Sequence, residues 1–478
     1  MRDALISVLL IGGCLAAAAP ALPQVSDADA SAAVAATPQG DRSPEEVRSA
    51  EEILGFWRGL HDATLDRLLD EMLRADLDVR AAEARLRGAR SARRAAELEL
   101  LPTGAVGGGY TRQRLSPASF PNGSGSFPDQ DIWDVGFDAT WELDLFGRLR
   151  RNVEAQRAVV AATGAALSDV QVSLAAELAR AYFELRGTQE QLAVAERNTE
   201  NQRRTLELTR QRLDAGRGTA FDTERAAAQL GFTAASIPSL EAGVAAAGYR
   251  IGVLVGRSPE TVADDLRAPA ALPAPPAGLA IGDPEAVIRR RPDVTAAEHQ
   301  LLAEMALVGA AKAEGRPRLT VGASAGYTAT ALDAFGERGA FRYFLQSGIS
   351  WPVFGLGRVK AGVAVARAQE EQARAAYDQV RLRAREEIGA ALARYRAAGT
   401  RVERIGDAAS SSTRAAELAR LRFSDGLGDL LDVLDAERTQ LEAERALVQA
   451  RTEAATAYAV LYKALGGALS PPSQPSAP

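Results

Sequence analysis

The second half of this chain repeats the first. WELDLFGRLRRNVEAQRA (Trp141–Ala158) is answered by WPVFGLGRVKAGVAVARA (Trp351–Ala368), with Trp141/Trp351, Arg148/Arg358 and Arg157/Arg367 each 210 positions apart. The same offset runs on without a gap, so that RQRLDAGRGTAFD (Arg210–Asp222) faces RLRFSDGLGDLLD (Arg420–Asp432). Upstream, DVRAAEARL (Asp78–Leu86) matches DVTAAEHQL (Asp293–Leu301) at an offset of 215, shared by Pro102/Pro317 and Val106/Val321. Whatever the first half builds, the second must build again. The pattern of each unit is helix, strand, strand, long helix, turn, helix, and the Pro/Ala-rich stretch Pro269–Pro284 joins the two.

The strands declare themselves by alternation. From Trp133 the odd positions read Trp133, Val135, Phe137, Ala139, Trp141, Leu143, and the even ones Asp134, Gly136, Asp138, Thr140, Glu142. One face is apolar and the other carries carboxylates, the period of a strand between two different environments. The duplication adds three further strands, about Thr103–Arg112, Leu319–Thr330 and Tyr343–Val353, and the last two alternate in the same period. Each is near the roughly 10 residues of a tilted transmembrane strand, with an aromatic near one or both ends. A half-buried strand of a soluble sandwich has the same period. The Gly/Ser/Pro-rich loops Ser116–Asp131 and Thr330–Arg342, and the carboxylate face of the second strand, favour the barrel. Four strands cannot close one, and lipid does not tolerate an open edge, so oligomerisation has to supply the rest.

Between strands the chain is helical. Gly147 to about Asp214 contains no proline and is rich in Ala, Glu, Arg, Leu and Gln; about 65 residues at 1.5 Å each make roughly 100 Å of helix. Gly357–Ser424 is its counterpart. Each ends at a Gly-x-Gly, Gly216-Arg217-Gly218 and Gly426-Leu427-Gly428, the chemistry of a hairpin C-cap. The returns run through Phe221–Val255 and Leu430–Leu465, and Pro238 is expected to kink the first. Abundant alanine suits close packing in a coiled-coil-like wall.

Composition removes whole classes of function. A net charge of −6 over 478 residues offers no basic field for nucleic acid. Beyond the N-terminus no apolar run approaches the roughly 20 residues of a membrane-spanning helix. His61 and His299 are the two histidines and fall in different halves, Cys14 is the single cysteine, and no HExxH, Walker or Gly-x-Ser-x-Gly pattern occurs. No catalytic site, cofactor site or metal site is expected, and the energy for any transport has to come from partner proteins. MRDALISVLLIGGCLAA has the short apolar h-region Ala4–Leu10 and small residues before Cys14, resembling a lipoprotein signal in which Cys14 becomes the lipidated first residue. The alternative is an ordinary secretory signal cleaved near Ala19, and with Asp3 after Arg2 the natural start is open to lie upstream.

Taken in order, FWRGLHDATLDRLLDEMLRADLDVRAAEARL (Phe56–Leu86), WELDLFGRLRR, RRRPDVTAAEHQL (Arg289–Leu301) and GLGDLLDVLDAERTQLEAERAL (Gly426–Leu447) resemble the TolC-like outer-membrane efflux proteins, in particular the lipoprotein branch serving resistance-nodulation-division (RND) pumps. The likeness covers nearly the whole mature chain. It implies a mainly α protein with a membrane β-barrel: an internally duplicated fold giving four strands per protomer to a twelve-stranded trimeric barrel, above a long α-helical periplasmic tunnel. The implied division is a signal peptide with lipobox over 1–14, an N-terminal tail and equatorial segment over 15–56, and the first repeat over 57–256. A linker over 257–284, the second repeat over 285–466 and a C-terminal tail over 467–478 complete it. The implied function is passive conduction of small toxic compounds from the periplasm to the exterior in a tripartite pump. Its partners would be further copies of the chain in a homotrimer, a periplasmic membrane-fusion adaptor, an inner-membrane RND pump and outer-membrane lipid. A type I protein-secretion channel uses the same architecture and is the alternative, as is a soluble periplasmic coiled-coil scaffold. That branch often places a Pro-x-Tyr-x-x-Pro segment after the cysteine; here the Ala/Pro/Asp-rich stretch Ala16–Glu46 stands instead, leaving the docking of the tail open.

The likeness also assigns residues. Trp133, Val135, Phe137 and Trp141 would meet lipid, and Asp134 would line the lumen. Asp432 and Asp435, three apart and so on one helix face, would form carboxylate rings at the narrow periplasmic end, which attract cations. Acidic residues near a helix start also simply complement its dipole, by about 0.3–1 kcal/mol each. Asp429 and Asp222 are further candidates for this constriction, and Arg217, Gly218, Leu427 and Gly428 are candidates for adaptor contact.

Overall fold

The computed structural model describes residues 50–116, 128–276 and 283–467; all of them belong to one compact unit, Glu45–Pro478. Cys14, the tail stretch Ala16–Glu46 and most of the loop Ser116–Asp131 lie outside the described residues.

Four antiparallel strands form one sheet in the order β1 (Thr103–Gln113), β2 (Gln130–Leu143), β3 (Arg318–Ala329), β4 (Phe341–Ser350). The duplication is written into their register. Carrying the pair Thr103↔Thr140 of the first hairpin through the offsets of 215 and 210 gives Arg318↔Ser350, and that is the pair observed in the second. Across the sheet the alternation aligns: Val106, Phe137, Ala325 and Tyr343 share one row and face, and Ala105, Asp138, Ser324 and Phe344 the row next to it on the other. Each half also fastens its sheet to its helices in one way. The indole N–H of Trp141 donates to the Leu100 carbonyl at 2.8 Å, and that of Trp351 to the Gly315 carbonyl at 3.1 Å, so the matched tryptophans anchor the matched helix-to-strand turns. The fourth strand begins and ends earlier than the alternation suggests, because Pro352 after Trp351 cannot donate to a ladder and a 3-10 turn follows at Val353–Gly355.

The helices before β1 are α1 (Ala50–Trp57), α2 (Ala63–Ala75) and α3 (Leu77–Leu98). After β2 come α4 (Arg148–Asp214), α5 (Ala220–Ala234), α6 (Ile237–Leu254) and α7 (Pro259–Asp265); α8 (Pro284–Arg290) and α9 (Pro292–Ala313) precede β3, and α10 (Leu356–Ser424) and α11 (Leu430–Ala464) follow β4. The long helices have 67 and 69 residues, each about 100 Å at 1.5 Å per residue. Both turns at their far ends close alike: Gly216 (φ +70°) and Gly426 (φ +76°) take the left-handed conformation that glycine adopts without a Cβ clash. The next amide in each donates back to the helix, Arg217 to the Arg212 carbonyl and Leu427 to the Arg422 carbonyl, both at 2.8 Å. The two returns differ, and proline is the reason. Pro238 has no N–H and clashes with the carbonyl four residues back, so the first return breaks between Ala234 and Ile237 while α11 runs unbroken.

The main core lies at mid-height of α4. Ile53, Phe56 and Trp57 of α1, Leu65–Leu73 of α2, Val172–Leu185 of α4, Ile251 and Leu254 of α6, and Tyr458 and Tyr462 of α11 pack as one cluster. Phe56 stacks on Tyr458 at a ring separation of 4.9 Å. Asp62 serves twice: it accepts from the amides of Thr64 and Leu65 to cap α2, and from the Tyr182 hydroxyl at 2.7 Å. Burial, with that bond, pushes the Tyr182 hydroxyl up to about 12. The segment joining the halves is laced to this core, with Arg186 donating to the Ala268 carbonyl at 2.9 Å and Gln189 to that of Leu266 at 2.8 Å.

Two helical stretches are long and apolar enough to cross a membrane, against the expectation of none. Alanine makes them apolar without bulk. The window in Arg148–Asp214 is 56% buried within the protein, whereas that in Ala220–Leu254 is only 6% buried.

Candidate transport path and its far end

The sheet presents two chemically distinct faces. Trp133, Val135, Phe137 and Trp141 stand on one, joined by Val106, Tyr110, Tyr343, Leu345 and Ile349. Large apolar side chains here are open to solvent in the single chain, Leu345 and Ile349 at 75% each, the kind of apolar face that marks a membrane or protein interface. Phe137 lies over Gly104 of the edge strand, where a Cβ would come within 2.7 Å of its ring. The opposite face carries Asp134, Asp138, Thr140 and Glu142 of β2 with the small residues Gly322, Ser324, Gly326 and Thr328 of β3. Glu142 is held by Arg148 at 3.0 Å, and Asp134 by Arg342 at 2.7 Å. The outer edges of β1 and β4 have no neighbour in the sheet.

At the far end of the helices, α11 turns Leu430 and Val433 inward against Phe423 and Leu208. That seating leaves Asp432 and Asp435 exposed together. Asp435 pairs with Arg438 one turn on at 2.8 Å; Asp432 has no side-chain partner among the described residues. Asp429 occupies the N-cap of α11 without a capping side-chain bond, although its counterpart position in the first half, Thr219, makes a full capping box with Asp222. The Asp222 carboxylate accepts from the Thr219 hydroxyl at 2.7 Å, so it is engaged in holding its own helix start. Arg217 and Leu427 project from the two turns, and Gly218 and Gly428 press their backbones on the preceding helix ends, where a Cβ would meet atoms at 3.2 Å. Arg212 ties the two turns together, donating to the Phe423 carbonyl with its guanidinium 3.7 Å above the Phe423 ring.

Further up, a polar seam separates α4 from α11. Glu437, 1% exposed, accepts from Thr205 at 2.9 Å and from Arg420 at 2.8 Å; Asn198 donates to Glu444 at 3.0 Å. Neither Glu437 nor Arg342 stands out in the sequence. Arg420 falls within the duplicated stretch Arg420–Asp432, but its buried partner is on the next helix and carries no periodic signal.

A duplicated four-stranded sheet with one apolar face, set on helices of about 100 Å, is matched by one family model: that of the outer membrane efflux proteins, over residues 68–256 and 284–467. The chain belongs to this family. Outer membrane efflux proteins are channels, and this one is an outer-membrane efflux channel with a TolC-like fold that extends into the periplasm. Among relatives, outer membrane protein OprJ of Pseudomonas aeruginosa is 29% identical over 97% of this chain and 95% of its own. The toluene efflux pump outer membrane protein TtgF of Pseudomonas putida is 28% identical over 90% of this chain and 88% of its own. Among solved structures, the outer-membrane channel OprN is 38% identical with a TM-score of 0.80, covering 86% of this chain and 92% of that one. VceC of Vibrio cholerae follows at 25% identity and a TM-score of 0.78.

Proposed function

We propose that this efflux channel works as a homotrimer, conducting small toxic molecules passively and drawing its energy from a periplasmic adaptor and an inner-membrane RND pump. One observation carries the reading: a sheet of four strands with both edges bare and one broad apolar face. Each unpaired backbone group in lipid costs several kcal/mol, and β4 of one copy against β1 of the next removes every edge. Trp133, Val135, Phe137 and Trp141 then meet lipid, and the Asp134 face lines water. The relatives named for toluene or antibiotic efflux support small molecules as the cargo class. Cys14 anchors the mature N-terminus to lipid, which mass spectrometry of that terminus tests: an unmodified peptide starting beyond Cys14 argues for a plain secretory signal.

At the periplasmic end Asp432, without a side-chain partner among the described residues, and Asp435, held by the exposed Arg438, form the constriction, with Asp429 beside them. Asp222 contributes least, because its cap occupies it. Arg217, Gly218, Leu427 and Gly428 make the rim on which the adaptor docks. Like charges crowded about a three-fold axis repel and attract cations. Replacing Asp432 and Asp435 by Asn is expected to raise single-channel conductance in planar bilayers, lower cation selectivity and weaken block by divalent cations, with the trimer intact. Unchanged conductance, selectivity and block would leave these residues with the helix dipole alone.

A further inference from the structure

The carboxylate face of the sheet carries one built cluster near its loop end. Arg342, the second residue of β4, crosses β3 and reaches β2. Its Nη2 donates to both oxygens of Asp134 at 2.9 and 2.7 Å, its Nε to Asp134 Oδ2 at 3.0 Å and to Thr328 Oγ1 at 2.8 Å, and its Nη1 to Ser324 Oγ at 3.0 Å. Thr328 Oγ1 in turn donates to Asp134 Oδ2 at 2.6 Å. The floor under the guanidinium is glycine: Gly136, Gly326 and Arg342 share one row. A Cβ at 136 would sit 3.3 Å from Arg342 Nη2, and one at 326 would sit 2.3 Å from the Val135 carbonyl oxygen. The side chain therefore lies flat on bare backbone.

Duplication did not create this pair. The positions matched to Asp134 and Arg342 at the offset of 210 are Phe344 and Ile132, so the cluster belongs to the junction of the two halves alone. A guanidinium stays charged at any physiological pH, and on a wall that faces water an unheld arginine extends into the path. Of the other carboxylates on this face of β2, Glu142 is held by Arg148, and Asp138 has no side-chain partner among the described residues.

We propose that Arg342 sets the charge selectivity of the barrel, being strapped flat by Asp134, Thr328 and Ser324 over Gly136 and Gly326 so that the wall is neutral at this level. This rests on the carboxylate face lining the lumen. Released, it would give three guanidinium groups per trimer, a ring that favours chloride and small organic anions over cations.

The test uses the purified trimer with Asp432 and Asp435 replaced by Asn, so that the periplasmic end weighs least on selectivity. Reversal potential in a potassium chloride gradient is read beside phenylglyoxal labelling of Arg342 followed by mass spectrometry. Asp134→Asn is expected to speed labelling about threefold or more, as loss of a bidentate pair should, and to move the reversal potential toward chloride. Adding Arg342→Gln is expected to return the potential to its starting value. Gly136→Val changes no charge and is expected to raise labelling by lifting the guanidinium, whereas Ala105→Val, on the same face and clear of the strap, is not. Equal labelling with and without Asp134, or a shift that Arg342→Gln fails to reverse, overturns the proposal. The lumen assignment is tested separately by Asp138→Cys and a membrane-impermeant thiol reagent: current that ignores the reagent sinks that assignment, while a responsive current with unchanged Arg342 labelling sinks only the strap.

Discussion

Asp169 on α4 illustrates what half-burying a carboxyl costs. Burial first, and the Asp293 carboxylate second, raise its pKa above the ordinary aspartate value, while Lys463 and Arg291 pull the other way. A carboxyl with a raised folded pKa favours the fold while protonated; as pH climbs through that value its ionisation costs stability. Asp169→Asn is therefore expected to match the wild type in acid and to melt higher at about pH 8. Thermal melts of the two proteins across that range check it, and a difference independent of pH would assign the effect to packing instead. Such pairings are the part of the molecule that the sequence hides. Asp134 and Arg342, or Thr205 and Glu437, stand on different elements more than 200 positions apart, and periodicity assigns a residue to a face without naming its partner. The Asp432/Asp435 pair was visible because helical spacing is local.

Among the elements, β2 carries the sharpest test. Its odd positions share a face with Val106, Tyr343 and Leu345, and its even positions share one with Ser324 and Thr328. If the odd face meets lipid, Phe137→Arg or Ala139→Arg should weaken insertion by about 2–4 kcal/mol near the bilayer midplane, while Asp138→Asn is tolerated. Urea titrations of folding into lipid vesicles would measure this, and equal losses on both faces would make β2 a soluble core strand. Elements were legible where a period or a punctuating residue marked them: the alternation of β2, the Gly-x-Gly turns, the break before Pro238. They were less legible at β4, where the apolar alternation runs past Ser350 to Trp351 and Val353 but Pro352 ends the ladder. Hydropathy failed in the other direction, since alanine-rich windows of α4 and of α5 with α6 are apolar enough for membrane spans; the α4 window is 56% buried against the rest of the chain, the other only 6%.

For the whole molecule, the duplication decides most. Two copies of one unit give two hairpins with matched registers, two helical hairpins with matched glycine turns, and a sheet whose ends are both open. The second copy supplies pairing for the first, yet four strands still cannot enclose a lumen, and in lipid every backbone group needs a partner. A single chain in the membrane is therefore incomplete, and in the proposed trimer three chains close the barrel. Native mass spectrometry of the detergent-solubilised protein measures this directly. A particle of three chains that keeps its strand signal is expected; a monodisperse monomer that keeps the same strand signal would contradict it.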